Sequence, residues 1–318
     1  MTYRRATPAR RLAPPQQERQ PLQCSGTLVR WRLPPLASRN VNAASLPYTL
    51  ELLLAELAVG TLAVVTIFDA RGMVTLGYVK SGAIMVVALA VLALWTALAG
   101  LSPQGEIEGY ALSPDWVDPF RLALVAFTAL AGAHLFATFT EHRREALWAG
   151  AFGSLAGAAT LAALAGVLGA PAWSYAGVIA STLVSAAVLG GALAAMTWGH
   201  WYLTNSGLPK EPLEQMSLLL LGALIVQLVL VAVALVAPVR EVPFTDSAFG
   251  VELEANPAFW LRVGVGLVFP AFLAWLAWRA AAIRGMMSAT GLLYIALGTV
   301  LAGAVLARGL LFSTGAVV

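Results

Sequence analysis

The sequence predicts an all-α protein, a polytopic integral membrane bundle of about eight transmembrane helices, and three observations carry that expectation. Of 318 residues, 59% are hydrophobic and 11% charged, with a mean hydropathy of +0.80; a typical soluble domain carries about 25% charged residues, so the polar coat of a water-soluble globule is missing. Apolar runs of about 20 residues recur along the chain, each long enough to cross a hydrocarbon core of about 30 Å. The alternating apolar/polar code of a barrel strand is absent, and lipid satisfies no exposed backbone group, so the runs are read as helices.

The spans follow in order. Span one, about 48–68, carries Glu51 and Glu56 and stops at Asp69-Ala70-Arg71-Gly72. Span two, about 82–101, lies between Lys80 and Pro103, and span three, about 120–140, between Pro119 and the polar run Glu141-His142-Arg143-Arg144. Spans four and five, about 147–169 and 175–198, are dense in small residues, with Gly153 and Gly157 one helical turn apart. Small faces let helices approach closely where lipid removes the usual hydrophobic drive. Span six, about 214–237, ends before Pro238; span seven, about 259–279, contains Pro270 and is expected to kink there; span eight, about 289–312, carries Gly298 and Gly303. Trp116, Trp148, Trp173, Trp198, Trp201, Trp260 and Trp278 fall at or beside predicted ends, where an amphipathic ring prefers to sit, and Trp95 falls mid-span.

Loop charge orients the bundle. Arg71, Lys80, Arg143, Arg144, Lys210, Arg279 and Arg284 flank the odd-numbered loops, and only Arg240 falls in the even ones. Positive loops stay cytoplasmic, so a bacterial inner-membrane protein with both bundle ends external is expected. Residues 1–47 oppose this rule with eight arginines, Arg4 to Arg39, against the single acid Glu18. They are read as a Pro/Arg-rich extension with no packable face, ahead of a transmembrane domain over 48–318, and a true start near Val41 is the favoured explanation. Arginine outnumbers lysine 17 to 2, which together with the high alanine content points to a GC-rich bacterial genome. The basic residues form no patch interleaved with aromatics, so nucleic acid is not an expected partner. Cys24 is the only cysteine, which excludes an internal disulfide.

Ionisable groups inside spans are costly and mark functional hypotheses by default. Glu56 and Arg308 lie toward the same side, so an ion pair is possible if spans one and eight are neighbours. It is either a structural clamp or an outward-facing proton or quinol site. Glu51 and Arg262 are placed at the headgroups. Gln227, near the middle of span six, supplies an amide to the same region or a helix-to-helix hydrogen bond. Toward the other side, His134 is either a hydrogen-bond donor to a quinone head, supported by His200 and Tyr202, or a buried imidazole tied to a backbone carbonyl. The chain has three histidines, and the two nearest spans are read at different depths, so a b-type haem is not expected. No HExxH, DDxxD, Walker A loop or thiol/histidine pair occurs, which removes support for zinc proteolysis, prenyl transfer, ATP hydrolysis and cysteine acyl transfer.

Ala131-Gly132-Ala133-His134-Leu135 at the end of span three, Glu51 to Gly60 in span one, and Gly298 to Gly309 with Arg308 in span eight resemble the membrane-anchor subunits of the polysulfide reductase and dimethyl sulfoxide reductase family. The resemblance covers about a third of the chain. It implies eight spans with external termini and quinol oxidation or quinone reduction on behalf of an iron–sulfur or molybdopterin subunit. A small-solute or proton-coupled transporter and a structural or assembly protein are the alternatives from other classes.

The charge rule is directly testable: a reporter fused after Val318 should be active only outside the cytoplasm, and cytoplasmic activity would refute the orientation or the even span count.

Overall fold

The computed structural model describes residues 45–107, 110–169, 175–205, 207–236 and 253–318. They belong to one unit, Asn42–Val318. The Pro/Arg-rich extension, Cys24, Trp173 and the acidic loop around Arg240 lie outside the described residues, apart from Ser45 to Pro47.

The elements are α1 (Leu46–Ala70), α2 (Leu76–Ala99), a two-residue hairpin of β1 (Glu106–Ile107) and β2 (Tyr110–Ala111), α3 (Val117–Phe139), α4 (Arg143–Leu168), α5 (Tyr175–Thr204), α6 (Glu211–Val236), α7 (Pro257–Val263), a π-helical turn (Gly264–Val268), α8 (Phe269–Ala282) and α9 (Met286–Thr314). Helices α7 and α8 with the turn between them make one span, so eight membrane-length helical spans are present among the described residues. The chain is therefore a multi-pass helical membrane protein.

All the observed spans but α5 begin before the expected ones, while α2, α3, α4 and α6 end one or two residues short of them. Lys80 lies inside α2, which begins at Leu76, and His200 and Tyr202 lie inside α5, which continues to Thr204. Trp95 consequently sits four residues from the end of α2, exposed at the bundle edge, not mid-span. Trp198 departs from the aromatic-belt expectation: it is fully buried and meets the Tyr78 ring edge-on at 5.0 Å. Span seven does depart from regular helix near Pro270, where a π turn, a common source of kinks, immediately precedes the residue that lacks an N–H.

Helix α1 is the hub. Of its most apolar stretch 72% is buried, against 28% for α6 at the periphery, and it packs against α2, α4 and α5. Glycines on the neighbours make that enclosure possible. Gly150, Gly153 and Gly157 on α4 face Thr66, Leu62 and Val59 of α1, and Gly82 on α2 faces Val65. The tightest approach is with α5, where a Cβ on Gly190 would fall 2.1 Å from the carbonyl carbon of Gly60. Gly298, by contrast, faces open space.

Helix ends are closed by side chains from neighbouring elements. Arg121 of α3 donates to the carbonyls of Ala97 (3.2 Å) and Leu101 (2.6 Å), and Lys210 donates to Ala282 at 2.7 Å. Arg143 donates to the carbonyl of Asp69 at 2.5 Å. Each puts a cation on carbonyls at or just past a helix C-terminus. The buried Tyr110 hydroxyl donates to the Leu168 carbonyl, which docks the hairpin on the end of α4.

Gly190→Val should separate α1 from α5, because neither backbone can yield. A destabilisation of about 3 kcal/mol or more is expected as a fall in melting temperature in detergent, whereas Gly298→Ala should be nearly silent.

Candidate functional site

The α1–α5 crossing at Gly60 and Gly190 sets the geometry of the first polar cluster. One turn back along α1, Glu56 meets Ser185 of α5 and Arg308 of α9. Arg308 Nη2 donates to Glu56 Oε1, while the Ser185 hydroxyl donates to Glu56 Oε2 at 3.0 Å. The same Nη2 lies 3.3 Å from the Ser185 oxygen. Glu56 is completely buried and Arg308 nearly so, so this is an interior ion pair and not one at the rim.

A second guanidinium belongs to this cluster. Arg262, expected at the headgroups, is buried, and its charge acts on both Glu56 and Arg308. Its polar contact is a 3.5 Å donation from Nη1 to the carbonyl of Gly266, one turn along and inside the π turn. Gly266 and Gly303 pack backbone to backbone, and a Cβ on Gly303 would stand 3.0 Å from Arg262 Nη1. The two glycines thus leave the cradle in which the side chain lies, so it folds inward instead of reaching for the membrane surface. Two cations face one carboxylate, and among the described residues no acid forms an ion pair with Arg262.

Glu51, also expected at the headgroups, is completely buried as well. It lies on α1 five residues before Glu56, about 140° round the helix at 100° per residue, and therefore faces α2. There it accepts a hydrogen bond from the Thr96 hydroxyl, while its Oε1 atom has no partner among the described residues. Thr96 also lines an apolar groove of about 720 Å³ between α1, α2 and α9, walled by Leu46, Leu50, Leu53, Trp95 and Val305. Leu46, Leu50, Trp95 and Val305 are exposed, so the groove opens on the lipid side of the bundle.

The histidines are not brought together. His134 is completely buried and its Nδ1 lies 2.8 Å from the Ala146 carbonyl of α4, the backbone tie that was one of the two readings; Nε2 has no partner among the described residues. Beside it a cavity of about 400 Å³ is lined by Asp69, Thr138, Glu141, Arg143 and Ala146. His200 is exposed and its Nδ1 pairs with the Tyr294 hydroxyl of α9 at 3.0 Å. Helix α5 continues past His200, and the two histidines bond to different helices, His134 to α4 and His200 to α9. Tyr202 is buried in the apolar core with Phe68, Tyr78 and Trp198. Gln227 is buried on α6, with its carbonyl oxygen unpartnered among the described residues.

Sequence reasoning paired Glu56 with Arg308 and missed Ser185, Thr96 and the inward turn of Arg262. Ser181 and Ser185, one turn apart in an otherwise apolar span, were a legible signal of a polar helix face. For Arg262 there was none, because its cradle depends on a glycine contact between two distant segments.

The charge count gives an ordered expectation. Arg308→Gln leaves Glu56 and Arg262 of opposite sign, whereas Glu56→Gln leaves two buried cations, so the second should cost more, within or above the roughly 3–5 kcal/mol of a broken buried pair. Joining both changes should recover part of the loss, read as non-additive melting temperatures. No family model, no curated protein and no solved structure matches this chain.

Proposed function

We propose that this chain is the quinone-interacting membrane anchor of a bacterial respiratory oxidoreductase, held in the inner membrane with both bundle ends external beside an iron–sulfur or molybdopterin subunit. The observation that supports this best is the lipid-side groove with Thr96 in its wall and the Glu51 carboxyl one hydroxyl behind it. A long apolar tail suits the Leu46, Leu50, Leu53 and Val305 wall, and an aromatic head suits Trp95. Pockets for such ligands are mainly apolar with a few placed polar groups, which is the composition here.

The chemistry assigned to the chain is proton handling. A quinol losing two electrons to the partner's redox centre releases two protons. The Thr96 oxygen accepts a hydrogen bond from one quinol hydroxyl, and Glu51 behind it takes that proton through the threonine, while the proton of the second hydroxyl leaves directly to water. Electrons leave through the partner, since no side chain of this protein stores them. In this reading the Glu56–Ser185–Arg308 cluster fixes α1 against α5 and α9, so that the groove between α1, α2 and α9 keeps its width. The surplus cation at Arg262 favours a second reading, a proton-coupled transporter of small solutes, which solute uptake into proteoliposomes would reveal.

Thr96→Val removes the relay hydroxyl without changing volume. With the anchor purified together with its partners, quinol oxidation should fall about tenfold or more, and the melting temperature should fall too because the buried Glu51 carboxyl loses its partner, while Thr96→Ser should restore both. A photoreactive quinone that labels neither α1 nor α2, together with a purified complex from which no quinone can be extracted, would refute the reading.

A further inference from the structure

The Glu56–Arg308–Arg262 cluster carries one more positive than negative charge in the interior of a membrane bundle. A guanidinium stays protonated at any accessible pH, so Arg262 does not escape by neutralising itself. An unpaired charge at membrane depth costs several kcal/mol at least, and arginines near span ends normally extend to the headgroups to avoid that cost. Arg262 does the reverse. It is 4% exposed, folded over Gly266 and Gly303, with one long contact to a carbonyl. Its Nε has no partner among the described residues, and neither has the Nε of Arg308. Glu56 is already occupied on both oxygens, by Arg308 and Ser185.

We infer that Arg262 and Arg308 form an oxyanion site, which takes one phosphate or carboxylate group as the missing negative charge. Guanidiniums are suited to this because their fork of N–H donors matches the paired oxygens of phosphate and carboxylate. Arg262 lies five residues into its span, about 7–8 Å along the helix at 1.5 Å per residue, within reach of the headgroup layer. The local backbone fits such a role: π turns inside α-helices are frequent at functional sites, and this one begins two residues after Arg262. Glu56 and Ser185 hold Arg308 through its Nη2. The ligand is either the phosphate of an anionic lipid or a free oxyanion from the aqueous side. The inference does not depend on the quinone reading, because neither Arg262 nor Arg308 lines the groove.

The test is the melting temperature of the full chain, delipidated in neutral detergent, with sodium phosphate, with sodium acetate, or with phosphatidylglycerol, each against sodium chloride or phosphatidylcholine at matched ionic strength. A ligand of the folded state raises the melting temperature by mass action, and a rise of about 5 °C or more is expected. Arg262→Gln should abolish the rise and Arg262→Lys should keep part of it. A rise with phosphatidylglycerol alone assigns the site to a lipid headgroup, and one with phosphate or acetate assigns it to a soluble anion. If no anion shifts the wild type, or if Arg262→Gln shows the same rise as the wild type, the site does not exist. An Arg262→Gln chain that melts above the wild type in chloride and in every anion would overturn it too, by showing an uncompensated charge and nothing more. Should Arg262→Gln fail to fold, the wild-type series and Arg262→Lys still decide.

Discussion

The structure depends on the enclosure of α1. A helix surrounded by other helices, in a bundle itself surrounded by lipid, has no water to satisfy what it carries, so each polar side chain must find its partner inside the protein. Helix α1 carries three carboxyls, and each is answered from a different direction: Glu51 by Thr96 of α2, Glu56 by Ser185 of α5 and Arg308 of α9, and Asp69 by Arg143 of α4. Those pairings tie α1 to α2, α4, α5 and α9, which lipid-like side chains alone would not place with any preference, since apolar contacts among helices compete with equally apolar lipid tails. Glycines then set how closely the partners come. The Gly60–Gly190 crossing brings α5 near enough for a side chain as short as serine to reach Glu56.

Arg262 shows the same logic with a different outcome. The Gly266–Gly303 contact creates space for a guanidinium beside the ionic pair, but no second carboxylate comes with it. The interior therefore holds a charge surplus that the described side chains do not balance. Buried ion pairs give less net stability than their geometry implies, because desolvation offsets most of the attraction, and a surplus cation adds to the cost. Polar groups of this kind are retained in membrane interiors chiefly where they serve a function. The cluster and the lipid-side groove are two of the places where this bundle departs from plain packing, beside buried His134 and Gln227.

At the faces of the bundle the sequence meets a milder version of the same requirement. The last carbonyls of α1, α2 and α8 receive Arg143, Arg121 and Lys210, so basic residues near span ends serve the helix termini as well as the charge asymmetry. Three of the residues that sequence reading places in or near loops, Lys80, His200 and Tyr202, instead continue helices.

Composition and the length of the apolar runs determined the fold class, the number of spans and their rough limits, because the thickness of a bilayer and the demand for internal backbone hydrogen bonds leave a chain of this kind few choices. The stripe of Gly153 and Gly157 was legible as a packing face for the same reason of period. Which helix that stripe meets was not legible, and neither was the fate of Glu51 and Arg262. A polar residue a few positions from a span end reads the same whether it faces headgroups or the interior. The rotation of each helix about its axis decides between the two, and that rotation is fixed by contacts between residues far apart in the chain, Gly60 with Gly190 and Gly266 with Gly303. Pairing Glu56 with Arg308 needed only depth and sign; finding Ser185, Thr96 and the inward turn of Arg262 needed the tertiary structure.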